Sequence, residues 1–203
     1  MLNFLADKAY VFWILVLLFG YLYYMGGDDI IFFRKKKHEI DPKASEKLAD
    51  ALNGFIRSRD FKVMGPTTIE FEGKEYSFDS LLFTYSGIVA FSLQPQIGET
   101  YADLASDEWT TLWQGNRTKM ANPLKAMEVN EKLFKDLFRA ESVKYIKVQN
   151  FVVFTNKDAN VVAPRNLPVC HANDLAQKLS DKCLADNGAN IQGMMDAIEK
   201  YKK

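Results

Sequence analysis

Between residues 78 and 101, two apolar runs, Leu81-Leu82-Phe83 and Ile88-Val89-Ala90-Phe91, stand on either side of a Ser86-Gly87 turn. Runs this short and this apolar, bounded by turn residues, predict two short strands. Their alternation is only partial, as in a central strand covered on both faces. Such a strand needs a layer on each side, so the segment points to a sheet held between helices. A later run, Phe151-Val152-Val153-Phe154, predicts another buried strand.

The rest of the chain supplies the layers. Apolar residues at 44, 48, 51, 52, 55 and 56 trace one face of a helix ending near Arg57, with Asp41 read as its N-cap and Pro42 as its first residue. Residues 61–65 and 68–71 are β-rich, Glu72-Gly73-Lys74 reads as a hairpin turn, and residues 76–84 read as one strand that brings in Asp79. Residues 102–121 form a polar stretch carrying Trp109 and Trp113. Asn122 as N-cap and Pro123 at the first position then start a long helix with Leu124, Met127, Phe134, Leu137 and Phe138 on its buried face. Residues 145–155 predict a strand, 160–162 and 167–170 two short extended pieces, and 174–179 the start of a helix. Residues 193–201 predict a last helix, whose basic end, Lys200, Lys202 and Lys203, complements the helix dipole. Strands and helices alternating in this way predict a three-layer α/β domain.

The front of the chain is different in kind. Residues 9–25, AYVFWILVLLFGYLYYM, contain no charge, and a membrane-spanning helix needs roughly 17 to 25 apolar residues. Trp13, Tyr21, Tyr23 and Tyr24 suit the interfacial belt, and large residues stand where a signal-peptide cleavage site needs small ones. The run Arg34-Lys35-Lys36-Lys37 outweighs the single Lys8 before the apolar stretch, which by the positive-inside rule places the bulk of the chain in the cytoplasm. The expected organisation is an anchor at 1–26, a basic juxtamembrane linker at 27–41 and an α/β domain at 42–203. Localisation follows: a single-pass membrane protein with its C-terminal domain cytoplasmic, the membrane being its first partner.

Phe78-Asp79, Gly87 and Gly98 carry a resemblance to a known family. The segment resembles the NERD (nuclease-related) domain, whose pattern runs Gln-Ile-Asp-His, three apolar residues, a turn with Gly, an apolar strand ending Glu-x-Lys, and a second Gly four residues after the Lys. Further on, Trp109, Asn122 and Pro123 match a Trp about a dozen residues before Asn-Pro-x-x-Gln. The resemblance covers residues 43–180 and implies a restriction-endonuclease-like three-layer core with a central mixed sheet. It also implies a site in which Asp and Glu oxygens hold Mg²⁺ while the Lys stabilises charge near the attacked phosphate.

In this chain that site is degenerate. Ser92 stands at the Glu position, Gln94 at the Lys position and Ala126 at the helix Gln. An acidic residue that the family places at the start of the first helix falls on Ser45 or Glu46. At 100° per residue, Glu46 points roughly 165° from the centre of the apolar stripe and Ser45 roughly 65°, so the core-facing frame favours Ser45. Asp79 alone keeps an anionic ligand, too few for a hard-cation site, so no catalytic residue, cofactor or metal is assigned. Asn122 is explained by capping.

Charge and cysteine content narrow the function further. Residues 38–203 hold 21 Lys and Arg against 23 Asp and Glu, without a basic stripe of the kind phosphate-backbone binding requires; Arg117, Lys119 and Lys125 come nearest to one. Two cysteines, Cys170 and Cys183, form no disulfide framework, and with His171 and His38 they match no closed zinc pattern. The expected function is a membrane-anchored NERD-like domain without nuclease activity, an interaction or scaffold module for membrane or cytoplasmic proteins. The alternative is a divergent Mg²⁺-dependent nuclease using Asp79 with an acid relocated to Glu99 or Glu46. A third reading is an unrelated single-span α/β protein, and the nuclease-like reading fails if Asp79, Ser92 and Gln94 do not converge on one face of a central sheet.

Overall fold

The hairpin expected around Ser86-Gly87 forms the middle of the main sheet. A computed structural model describes residues 42–203 apart from 58, 145 and 184. The apolar stretch 9–25, the basic run at 34–37 and His38 lie outside the described residues, and among those described no helix is long and apolar enough to cross a membrane.

Five strands make the main sheet: β1 (Lys62–Met64), β4 (Ser80–Thr84), β5 (Gly87–Gln94), β9 (Lys147–Phe154) and β11 (Val169–His171). Their order is β1-β4-β5-β9-β11, with β1, β4 and β5 antiparallel in turn and β5, β9 and β11 parallel. This mixed sheet in an α/β fold is consistent with a restriction-endonuclease-like core. Every residue of β4 is buried, as are Gly87 to Phe91 of β5, which accounts for the weak alternation in the sequence.

Two faces are covered by different helices. Asn150 of β9 stands opposite Ala90 in register; its amide donates to Met127 O at 3.0 Å, and its Oδ1 accepts from Asn130 at 3.2 Å, both on α2 (Pro123–Ala140). Gln149, one residue earlier, donates instead to Cys183 Sγ at 3.6 Å, at the end of α3 (Leu175–Cys183). Alternate residues of a strand point to opposite faces, so Ala90, Ser92 and Gln94 lie on the α2 side and Val89, Phe91 and Leu93 on the α3 side. The expected apolar face of α2 is buried in full. Phe134 packs its ring 5.2 Å from Phe78 and 5.8 Å from Phe138, and burying each such side chain stabilises the fold by about 1.5–3 kcal/mol.

The first helix, α1 (Ala44–Ile56), buries Ala44, Leu48, Leu52 and Phe55, but its start differs from the expectation. Pro42 and Lys43 form a turn, and Lys43 is the N-cap without a side-chain cap bond. Ser45 is exposed, as Glu46 is, so the core-facing placement is corrected. Ile56, eleven residues on and within about 20° of Ser45 around the helix, is half-buried near the other end.

Residues 76–84 are not one strand. β3 (Lys74–Phe78) pairs with β2 (Thr67–Phe71) in a separate ribbon, β4 belongs to the main sheet, and Asp79 is the corner between them. The polar stretch after Tyr101 also contains strands the sequence did not announce. β7 (Glu108–Trp113) and β8 (Asn116–Ala121) pair around Gln114-Gly115 and join β6 (Gly98–Tyr101) and β10 (Ala159–Val162) in a second sheet, ordered β10-β6-β7-β8.

The last helix, α4 (Ile191–Tyr201), starts at Asn190, whose side chain accepts from Gly193 N at 3.0 Å. Its far end is tied to the β2–β3 ribbon and to the end of α2. Lys203 N–H donates to Thr68 O at 3.0 Å, and its ammonium pairs with Glu70 and Glu75. Lys200 and the Tyr201 hydroxyl both donate to Glu141, at 2.7 and 2.8 Å, and hold that carboxyl below the usual carboxylate range.

Candidate functional site

Asp79, Ser92 and Gln94 meet at the carboxyl end of β5. The β4–β5 ladder runs from Thr84↔Gly87 to Ser80↔Phe91 and stops there, because the chain turns at Asp79. Just beyond, the N–H of Leu93 donates to Asp79 Oδ2 at 2.8 Å. The carboxylate thus supplies the acceptor that a continuing strand would have provided. On either side of Leu93, Ser92 and Gln94 share the α2 face and are joined to each other, the Gln94 amide donating to Ser92 Oγ at 3.2 Å.

This donor set does not fit Mg²⁺, the ion that the resemblance implies. A hard dication takes several oxygens, preferably anionic, in near-octahedral array. Here one carboxylate is engaged with a backbone amide, a neutral hydroxyl accepts from its neighbour, and Gln94 carries no charge. Gln94 is buried, 7% exposed, and so closes the position where an ammonium would face substrate.

Neither relocated acid joins the group. Glu46 is exposed in the first turn of α1, 3.9 Å from the Lys43 ammonium. Glu99 lies on β6 in the second sheet, where the Tyr101 hydroxyl donates to it, and that hydrogen bond, ahead of desolvation and of the carboxylate's charge, raises the pKa of the tyrosine. Among the described residues no group of three or more His, Cys, Asp and Glu side chains could hold a metal.

Ser45 and Ala126 are both exposed in the first turns of α1 and α2, the helices on opposite faces, and no hydrogen bond among the described residues ties Ser45 to the trio. The polar side chain of α1 that does reach the end of the sheet is Lys47, whose ammonium donates to Thr155 O at 3.1 Å; the N–H of Thr155 in turn donates to Gln94 O at 3.3 Å. Sequence reasoning passed over Lys47 because a lysine beside an apolar stripe reads as a solvated charge. Its contact is with a residue 108 positions away, which no local pattern encodes.

Asn122 and Trp109 are structural. Asn122 Oδ1 accepts from Leu124 N at 3.0 Å as the N-cap of α2, while its amide donates to Asp103 O at 2.9 Å and Ser106 O at 2.7 Å. Trp109 is fully buried, and its indole N–H donates to Asp103 O at 2.7 Å. Asp103 itself is held below the usual carboxylate range, chiefly by the N–H of Ala105 and then by the Ser106 hydroxyl.

Two charges of the nearest approach to a basic patch are neutralised locally, Lys119 by Glu108 at 2.7 Å and Lys125 by Asp107, whose pKa it lowers, while Arg117 donates to the neutral Thr110 hydroxyl. Both cysteines are buried free thiols, and burial pushes Cys170 up to about 12, far from a nucleophile's range.

Comparison with known proteins agrees with the sequence resemblance. The family model described as the nuclease-related domain, NERD, matches residues 37–155, more than half of the chain. No curated protein and no solved structure matches.

Proposed function

This chain belongs to the nuclease-related domain (NERD) family, and we propose that it is a member without nuclease activity, a membrane-anchored domain serving as an interaction or scaffold module on the cytoplasmic side. The observation that carries the loss of activity is the engagement of Asp79: its carboxylate accepts a backbone N–H between Ser92 and Gln94, and among the described residues no group of three or more His, Cys, Asp and Glu side chains could hold a metal. The anchor and its orientation rest on the uncharged stretch 9–25 and the basic run at 34–37.

Two substitutions separate a structural Asp79 from a catalytic one. Asp79→Asn keeps an oxygen acceptor for Leu93 N–H and should leave stability within about 0.5 kcal/mol. Asp79→Ala removes the acceptor and should lower stability by about 1 kcal/mol, read from urea midpoints. A metal ligand would respond the other way, since the amide is as poor a substitute as the methyl group. Incubating the full chain with DNA and RNA in Mg²⁺ or Mn²⁺ should give no cleavage above a metal-free control. Cleavage that both variants abolish would establish the divergent nuclease with a relocated acid instead. For the anchor, the chain should stay with membranes through an alkaline wash, and its C-terminal domain should be digested by protease only after the cytoplasmic face is opened.

A further inference from the structure

The second sheet has one open edge. β10 stands at the end of the order β10-β6-β7-β8, and among the described residues no strand pairs with its outer side. Ala102 N–H donates to Val162 O at 2.9 Å and Gly98 N–H to Asp158 O at 3.2 Å, so the even-numbered residues of β10 turn their backbone groups to β6. Alternate residues of a strand bond to opposite sides, which leaves the N–H and carbonyl of Val161 pointing outward. Free edges are commonly blunted by charge. The opposite edge, β8, carries Arg117 and Lys119, whereas β10 reads Ala159-Asn160-Val161-Val162 without a charge. Pro164, just past its end, confines any further pairing to this stretch.

The surface beside this edge is apolar. Six large apolar side chains are exposed among the described residues, and four of them, Tyr101, Leu104, Leu112 and Val162, belong to this sheet or to the loop after β6. Register places Val162 beside Tyr101 and Tyr101 beside Thr110, on the face opposite the buried Thr100 and Thr111. A groove of about 520 Å³ is lined there by Val162, Tyr101 and Pro164 together with Asp103 and Glu108, and no Lys, Arg or His lines it. Glu108 is paired with Lys119. Asp103 accepts from the N–H of Ala105 and the Ser106 hydroxyl and joins no ion pair among the described residues.

We propose that a protein partner adds a short basic strand to β10, laying apolar side chains on Val162 and Tyr101 and a Lys or Arg beside Asp103. The outward backbone groups of Val161 supply the pairing, the apolar row supplies contact area, and the acidic groove selects a cationic segment. A nucleic acid strand would bring its phosphates against the same carboxylates. The proposal rests on the reading of this chain as an interaction module but not on the loss of nuclease activity, because cleavage and strand addition are read by separate experiments on separate sheets.

Fluorescence anisotropy of the labelled peptide Lys-Thr-Val-Thr-Val-Thr-Lys, titrated with the full chain in neutral detergent, tests it. The peptide reads the same in both directions, and as a strand it sets Val and Lys on one face and Thr on the other. It should bind saturably and at least about tenfold more tightly than its counterpart with Glu in place of Lys. N-methylation of the central Thr removes the donor to Val161 O and should abolish binding. Val161→Pro removes the outward N–H on an edge strand, where proline is tolerated, and should abolish binding with unchanged circular dichroism. Asp103→Asn keeps an acceptor for the N–H of Ala105 and should lower the preference for the basic peptide by about threefold. The proposal is overturned if the basic peptide gives no saturable change, if its N-methylated form binds equally well, or if the acidic peptide binds as tightly. A dimer of the full chain that Val161→Pro dissolves, with no peptide bound, would likewise overturn it and assign the edge to a second copy.

Discussion

Gly87→Ala should unfold the domain or leave it insoluble. Gly87 opens β5 with φ at +137°, a conformation that L side chains rarely adopt. A Cβ there would also overlap the carbonyl oxygen of Lys147, the residue paired with it in register on β9. Relief cannot come from a rotamer, because the obstructing atom is backbone in the neighbouring strand at the centre of the sheet. Backbone strain and forced separation of β5 from β9 together should cost about 4 kcal/mol or more, out of a typical total of about 5–15 kcal/mol. Gly54→Ala is the matched control. It lies in α1 with nothing within 4 Å of the new methyl group, and it should stabilise by about 0.5–1 kcal/mol. Urea unfolding followed by far-ultraviolet circular dichroism reads both. Equal midpoints for the two variants would mean that the β5–β9 contact tolerates a side chain.

That contact separates what was legible in the sequence from what was not. The buried strands β4, β5 and β9 and the capped helix α2 were readable because each is specified by residues close in sequence: short apolar runs for the strands, Asn-Pro and an apolar face for the helix. The corner at Asp79 was not. Ser77-Phe78-Asp79-Ser80-Leu81 has no Gly or Pro to mark a break, and the chain leaves one sheet for another only because β2 claims β3 while β1 and β5 claim β4. The β7–β8 hairpin was hidden for a different reason. β8 is exposed along nearly its whole length, so no apolar alternation marks it; the available signals were Gly115 and the β-branched Thr110-Thr111 before it. At the candidate site the neutral residues Ser92 and Gln94 were legible as departures from the family pattern, but not that Asp79 serves the backbone.

The matches and mismatches with the family pattern divide along the same line. Gly87 and Gly98 both match, and both have positive φ with backbone in the way of a Cβ; at Gly98 the obstruction is Leu112 O, 2.5 Å from where the Cβ would stand. Ser92 and Gln94 depart from it, and their positions constrain the sheet only through neutral hydrogen bonds. The chain therefore keeps the residues that the fold requires and carries neutral Ser92 and Gln94 where the family pattern has Glu and Lys. Asp79 matches the pattern too, and its carboxylate also meets a structural need by accepting the Leu93 N–H.

Trp109→Ala should have the second-largest effect and decides between packing and nucleic-acid stacking for this tryptophan. The ring is completely buried on β7, opposite Met120 of β8, and the indole N–H holds Asp103 O. Removing so large a buried side chain costs about 3–5 kcal/mol. The same carbonyl also accepts from Asn122, so the loop before β7 keeps one of its ties when the indole is lost. Trp109→Phe retains most of the ring without the N–H and should cost about 1–2 kcal/mol. Because Trp109 and Asn122 converge on Asp103 O, the Trp109→Phe, Asn122→Ala pair should be non-additive, with a coupling of about 0.5–3 kcal/mol in a double-mutant cycle of urea midpoints. A base-stacking platform would show the opposite pattern: Trp109→Ala would leave the midpoint within about 0.5 kcal/mol of the parent chain, as exposed substitutions do, and weaken single-stranded DNA binding instead.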